Sequence, residues 1–148
     1  MVPSVFVCSL LFLIVALLAS LPASAGSESD GRYTGTIQCE SIPGQTSVAL
    51  STAFTVTITD GKGEYQREIL RPDSRDRTGI TERGLVKVSS SGELALNGGA
   101  AGPTWRYEAT YTGKLDSKSA RLAGEQVWHV QGKPVHKRPC SVSVRLAE

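Results

Sequence analysis

Residues 138–146 read Arg-Pro-Cys-Ser-Val-Ser-Val-Arg-Leu, and the alternation within them decides the fold. Cys140, Val142, Val144 and Leu146 fall on one side of an extended chain, with Ser141, Ser143 and Arg145 on the other. Strict alternation with β-branched residues marks a half-buried strand. The opposite end of the chain has the same pattern. Over residues 32–40, Tyr33, Gly35, Ile37 and Cys39 share one face, and Arg32, Thr34, Thr36 and Gln38 the other. Each cysteine therefore has the parity of the apolar residues around it.

Between these two stretches the chain reads as strands and turns. Phe54, Val56 and Ile58 alternate with Thr55, Thr57 and Thr59, and Asp60-Gly61-Lys62-Gly63 supplies a hairpin turn. A third strand covers 64–70, where Tyr65, Arg67 and Ile69 oppose Gln66, Glu68 and Leu70, so its inward face stays open. Residues 71–77 are polar and read as a loop. A fourth strand spans 80–89, with Val86 and Val88 on one side, and a short fifth surrounds Leu94 and Leu96. The run Asn97 to Pro103 is so rich in glycine that an irregular segment is expected. The sixth strand places Trp105, Tyr107, Ala109 and Tyr111 together. After residues 113–119, the seventh (120–130) aligns Leu122, Gly124, Gln126, Trp128 and Val130. No window after residue 25 shows the spacing of three and four that would predict a helix.

Eight short strands joined by hairpin-length turns predict an all-β antiparallel meander. Rolling it into a single up-and-down barrel removes its two exposed edges. Cys39 and Cys140 point the same way, because a disulfide requires Cα atoms within about 7 Å and would bring strands one and eight together. The alternative is a two-sheet β-sandwich, with the bridge crossing between sheets.

The chain has three cysteines, and Cys8 lies in a different setting. Residues 4–19 are uncharged and lack Gly and Pro. Leu21-Pro22 then interrupts the run before Ala23-Ser24-Ala25. This is the order of a secretory signal peptide, 1–25, expected to leave a single β-barrel domain, 26–148. No Lys or Arg occurs in the first 25 residues. The alternative is a retained membrane anchor, for which the apolar run is near the lower length limit. Export to the periplasm or the extracellular space would favour a Cys39–Cys140 disulfide over a reactive thiol. All 16 basic and 14 acidic residues follow residue 25, and a net charge of +2 gives no reason to expect nucleic acid.

Gly31-Arg32-Tyr33 at the start of the first strand, with Arg145 late in the last, resembles the calycin layout of lipocalins and avidins. In that layout a Gly-x-Trp at the barrel base is covered by a late Arg; here Tyr stands in place of Trp. Gly31, Tyr33, Gly35 and Cys39 at the start, with Arg138 and Cys140 near the end, also resemble small exported bacterial domains of unknown function. The resemblance implies a barrel and no particular activity, and no ligand residue is carried over.

The usual catalytic signatures are missing. There is no Gly-x-Ser-x-Gly, His-Glu-x-x-His, P-loop or Cys-x-x-Cys. A four-residue loop Gln131–Pro134 would set His129 opposite His136, close enough for one metal ion. With no third ligand and with Lys133, Lys137 and Arg138 nearby, no metal or cofactor is expected. Trp105, Tyr107, Tyr111 and Trp128 fill the barrel or line a small-ligand cavity, with Gln126 as the inward polar residue able to orient a ligand. Both tryptophans are expected to be mostly buried. Arg67, Arg71, Arg75, Arg77 and Arg83, with Lys133, Lys137 and Arg138, suggest basic patches for an anionic partner such as lipopolysaccharide. Asp73, Asp76 and Glu82 interrupt them, so a solvated surface is expected. The sequence thus predicts a monomeric, exported, non-catalytic binding protein for a small ligand or a protein partner. The alternatives are an enzyme without a recognisable motif and a structural component of an envelope assembly.

Overall fold

A computed structural model describes residues 26–42, 50–71 and 74–148. The expected targeting segment 1–25 and the residue Asp73 lie outside the described residues. After one helical turn, Gly26–Ser29, eight strands follow: β1 (Gly31–Cys39), β2 (Leu50–Thr59), β3 (Lys62–Leu70), β4 (Arg77–Val88), β5 (Glu93–Ala101), β6 (Trp105–Asp116), β7 (Ser119–Val130) and β8 (Lys133–Leu146). They form one closed barrel in sequence order, every neighbour antiparallel, with β1 pairing β8 across the seam. Closure leaves no sheet edge without a partner. At the seam Cys39 faces Cys140 in register, and their sulfur atoms are bonded.

The inward faces follow the alternation. Tyr33, Ile37, Phe54, Val56, Ile58, Val86, Leu94, Leu96, Leu122, Val142 and Val144 are buried in one continuous core. The open question in β3 resolves toward Tyr65 and Arg67, which are buried, while Gln66 is exposed. Hairpin turns hold the register. Asp60 and Gly61 both have positive φ (51° and 68°), as do Gln131 and Gly132 (49° and 80°), the combination that two-residue hairpins favour.

Three sequence expectations are corrected. The glycine-rich stretch is not irregular: β5 runs through Asn97, Gly98 and Gly99 to Ala101. A Cβ on Gly98 would lie 2.4 Å from the Tyr65 hydroxyl, and one on Gly99 2.4 Å from the Tyr107 carbonyl oxygen. The glycines are therefore close-approach positions within a strand. The four-residue loop before β8 is a two-residue turn, and β8 begins at Lys133. Arg145, expected to cover the barrel base, is exposed and pairs with Thr34 on the outer face. The base is instead met by the N-terminal turn, where the Tyr33 hydroxyl donates to the Ser29 carbonyl at 2.9 Å.

Candidate functional site

The strands that end or begin beside Cys39 and Cys140 place polar side chains inward. These are Thr52 from β2, Arg67 from β3, Glu82 from β4, Tyr107 from β6, Gln126 from β7 and Arg138 from β8. All are buried, Glu82 completely. A buried charge is tolerated only when it is paired and hydrogen-bonded. Glu82 meets that condition. Its Oε1 accepts from the Tyr65 hydroxyl (2.6 Å), and its Oε2 from the Tyr107 hydroxyl (2.5 Å) and Arg67 Nε (2.7 Å). Arg67 Nη2 completes a two-pronged ion pair at 2.5 Å, and its Nη1 donates to Thr52 Oγ1. Burial first, then the Glu82 charge, pushes the Tyr65 and Tyr107 hydroxyls well above the ordinary phenol range. Burial opposes the charge on Arg67, and Glu82 together with Tyr107 and Tyr111 more than offsets that, so its pKa is raised.

Among the described residues, no acidic side chain pairs with Arg138 in this way. It is 4% exposed, its Nε donates to the Glu40 carbonyl, and its Nη2 is buried without a partner. Burial, then the nearby Arg67 charge, lowers its pKa. Arg138 lines a cavity of about 80 Å³ together with Gln126, Trp128, Tyr107 and Arg67. Gln126 Nε2 donates to the Tyr111 hydroxyl at 3.1 Å, while Gln126 Oε1 and Trp128 Nε1 are buried and unpartnered. Ile42, Leu50, Ile69 and Leu70 line the same cavity and give it one apolar side.

Of the five aromatic and amide residues singled out from the sequence, Tyr107, Gln126 and Trp128 line this cavity, Tyr111 touches Gln126, and Trp105 packs on Tyr107 and Trp128. Tyr107, Tyr111 and Gln126 are buried. Trp105 and Trp128 are partly buried and pack against the core, in keeping with the expectation of mostly buried rings on the inward face. They lie where β6 begins and β7 ends, at the mouth, so one side of each ring lacks a covering strand. There they pack with ring centroids 5.2 Å apart, and Trp128 lies 4.7 Å from Tyr107.

The histidines do not face each other. A register shift pairs Trp128 with His136 and His129 with Pro134, leaving Val135 as the extra residue. His136 thus shares the inward face with Trp128, whereas His129, opposite Arg106, lies on the outer one. Among the described residues, no group of three His, Cys, Asp or Glu side chains could hold a metal ion.

The basic residues divide. Arg71, Arg75, Arg77, Arg83, Lys133 and Lys137 are exposed, as a solvated surface requires. Arg67 and Arg138 are interior groups, and so is Glu82, and the sequence reading misassigned all three. Parity was the available signal. Arg138 alternates in phase with Cys140 and Val142, and Glu82 with Val86 and Val88. Compared with known proteins, the chain matches no family model and no curated protein sequence.

Proposed function

We propose that this chain is an exported, non-catalytic binding protein, a calycin-like barrel that receives a small ligand at the mouth beside Arg138. One observation carries the reading: Gln126 Oε1, Trp128 Nε1 and Arg138 Nη2, three polar atoms on one cavity wall, are buried without partners. Leaving a buried donor or acceptor unsatisfied costs about 1–3 kcal/mol, more when it is charged. A ligand or ordered water that meets all three recovers that cost. The cavity has room for about two to three water molecules at roughly 30 Å³ each, which limits the buried part of a ligand to a small head group. Export is supported by the signal-like order of residues 1–25 and by the disulfide. The non-catalytic reading is supported by Glu82, the buried carboxylate of this half, whose two oxygens already accept from Tyr65, Tyr107 and Arg67.

The chain contains only two tryptophans, so the Trp128 indole N–H signal in NMR spectra reports directly on this cavity. Titration with a library of small polar compounds is expected to shift that signal. Native mass spectrometry of protein purified from the exported fraction is expected to detect a bound small molecule. An unmoved Trp128 signal across the library, together with a native mass equal to that of the bare chain, would overturn the reading.

A further inference from the structure

The interior of the polar half does not balance in charge. Two guanidinium groups, Arg67 and Arg138, are buried there, and one carboxylate, Glu82, answers them. Arg67 and Glu82 neutralise each other at contact distance, so among the described residues the uncompensated charge is the single positive charge of Arg138. Among the described residues no Asp or Glu forms an ion pair with it, and the carbonyl of Glu40 supplies only a dipole. Bare burial of a cation is among the most costly arrangements a fold can hold, and such groups are retained where something pairs with them.

We infer that the ligand is a monocarboxylate with a short aliphatic tail, its head paired with Arg138 and its tail on the apolar wall of Ile42, Leu50, Ile69 and Leu70. This rests on the binding reading above and narrows it to a chemical class. The leftover charge is +1, which a monoanion cancels; a phosphate dianion would leave the interior negative. A planar carboxylate also matches the planar guanidinium fork, whose Nη2 is unpartnered. The Trp128 indole N–H is a second donor available to the head group. About 80 Å³ accommodates a carboxylate and the first carbons of a tail, and leaves no room for a bulky head. The four aliphatic side chains on the same wall give a carbon tail a surface that an inorganic anion could not use.

Isothermal titration of the whole exported chain with acetate, butyrate and hexanoate, beside butyramide and inorganic phosphate at equal ionic strength, tests this. Butyrate is expected to bind at least tenfold more tightly than butyramide or phosphate, with affinity rising from acetate to butyrate. Arg138→Gln is expected to abolish the preference for butyrate over butyramide, and Arg138→Lys to keep part of it. Because Arg138→Gln removes an uncompensated charge, its ligand-free melting temperature is expected to equal or exceed that of the parent. Equal binding of butyrate and butyramide would overturn the inference and leave the binding reading standing. Tighter binding of phosphate than of butyrate would overturn it in favour of an inorganic anion site. Failure of all five compounds, when a neutral library compound moves the Trp128 signal, would also overturn the inference alone. Failure of every compound and of the library would overturn both.

Discussion

At the end of the barrel where Gly31 and Leu146 lie, the inward positions carry Tyr33, Val56, Ile58, Val86, Leu94 and Val144. At the other end the inward positions carry Thr52, Arg67, Glu82 and Arg138. The strand periodicity is identical in the two halves, and the energetics are opposite. Each large apolar side chain buried at the base stabilises the fold by about 1.5–3 kcal/mol. The ion pair at the mouth returns little net stability once the desolvation of both charges is counted. The base holds the barrel together, while the mouth holds chemistry that costs stability. The Cys39–Cys140 bridge joins β1 to β8 at the costly end, two residues from Arg138.

The largest expected difference between the halves follows from Glu82. In Glu82→Gln, Arg67 loses its counter-ion and the mouth interior holds two uncompensated guanidinium groups. Urea melts are expected to show a loss of about 3–5 kcal/mol. Replacing both partners with apolar residues, as in Arg67→Met with Glu82→Leu, is expected to recover most of it, because no unpaired charge remains. A loss below about 1 kcal/mol for Glu82→Gln would show that water reaches the pair, and the contrast between the halves would fail.

The disulfide comes next. The chain-entropy account puts a bridge spanning 101 residues at up to about 4.7 kcal/mol, and reduction is expected to cost about 2–4 kcal/mol, the more usual range, while the β-sheet signal in circular dichroism persists. The apolar half does not depend on the bond, so amide exchange is expected to rise around Cys39 and Arg138 well before it rises around Tyr33 and Val144. Equal acceleration at both ends would mean that the bridge supports the barrel as a whole and not its polar mouth. Two free thiols per chain in unreduced, denatured protein beginning at Gly26 would remove the bond altogether.

Strand number, order and closure were legible in the sequence because each strand repeats a period of two and because the cysteines share that period at both chain ends. The chemistry of the mouth was not legible, for a physical reason. In β3 the faces Tyr65-Arg67-Ile69 and Gln66-Glu68-Leu70 are equally mixed, so alternation alone cannot orient the strand. Only the pairing of β3 with β4, which sets Arg67 opposite Glu82, shows that two charges cover each other inside. The glycines at 98 and 99 were misread for a similar reason. The groups that exclude a side chain there, the Tyr65 ring and the Tyr107 backbone, belong to other strands.

The smallest expected difference between the halves is their response to alkali. Burial raises the pKa of all four tyrosines, helped by Asp30 at Tyr33 and by Glu82 at the other three, and Tyr111 is pushed up to about 12. The folded protein therefore keeps protons that the unfolded chain releases near pH 10. Stability is fully present below that pH and falls as pH rises through it toward the folded values. At pH 10 each of Tyr65, Tyr107 and Tyr111 costs about 0.4 kcal/mol, and one unit higher about 1.4 kcal/mol. Three of the four phenols belong to the polar network or contact Gln126, so the alkaline loss is expected to arise mainly from the mouth. Urea melts between about pH 8 and pH 11 are expected to steepen with pH, less so in Tyr107→Phe, and hardly differently in Tyr33→Phe. Tyr107→Phe is also expected to be less stable than the parent near pH 8, since Glu82 then lacks one donor. Stability that stays flat to pH 11, or phenolate absorbance that appears near pH 10 while the barrel remains folded, would place these hydroxyls in contact with water.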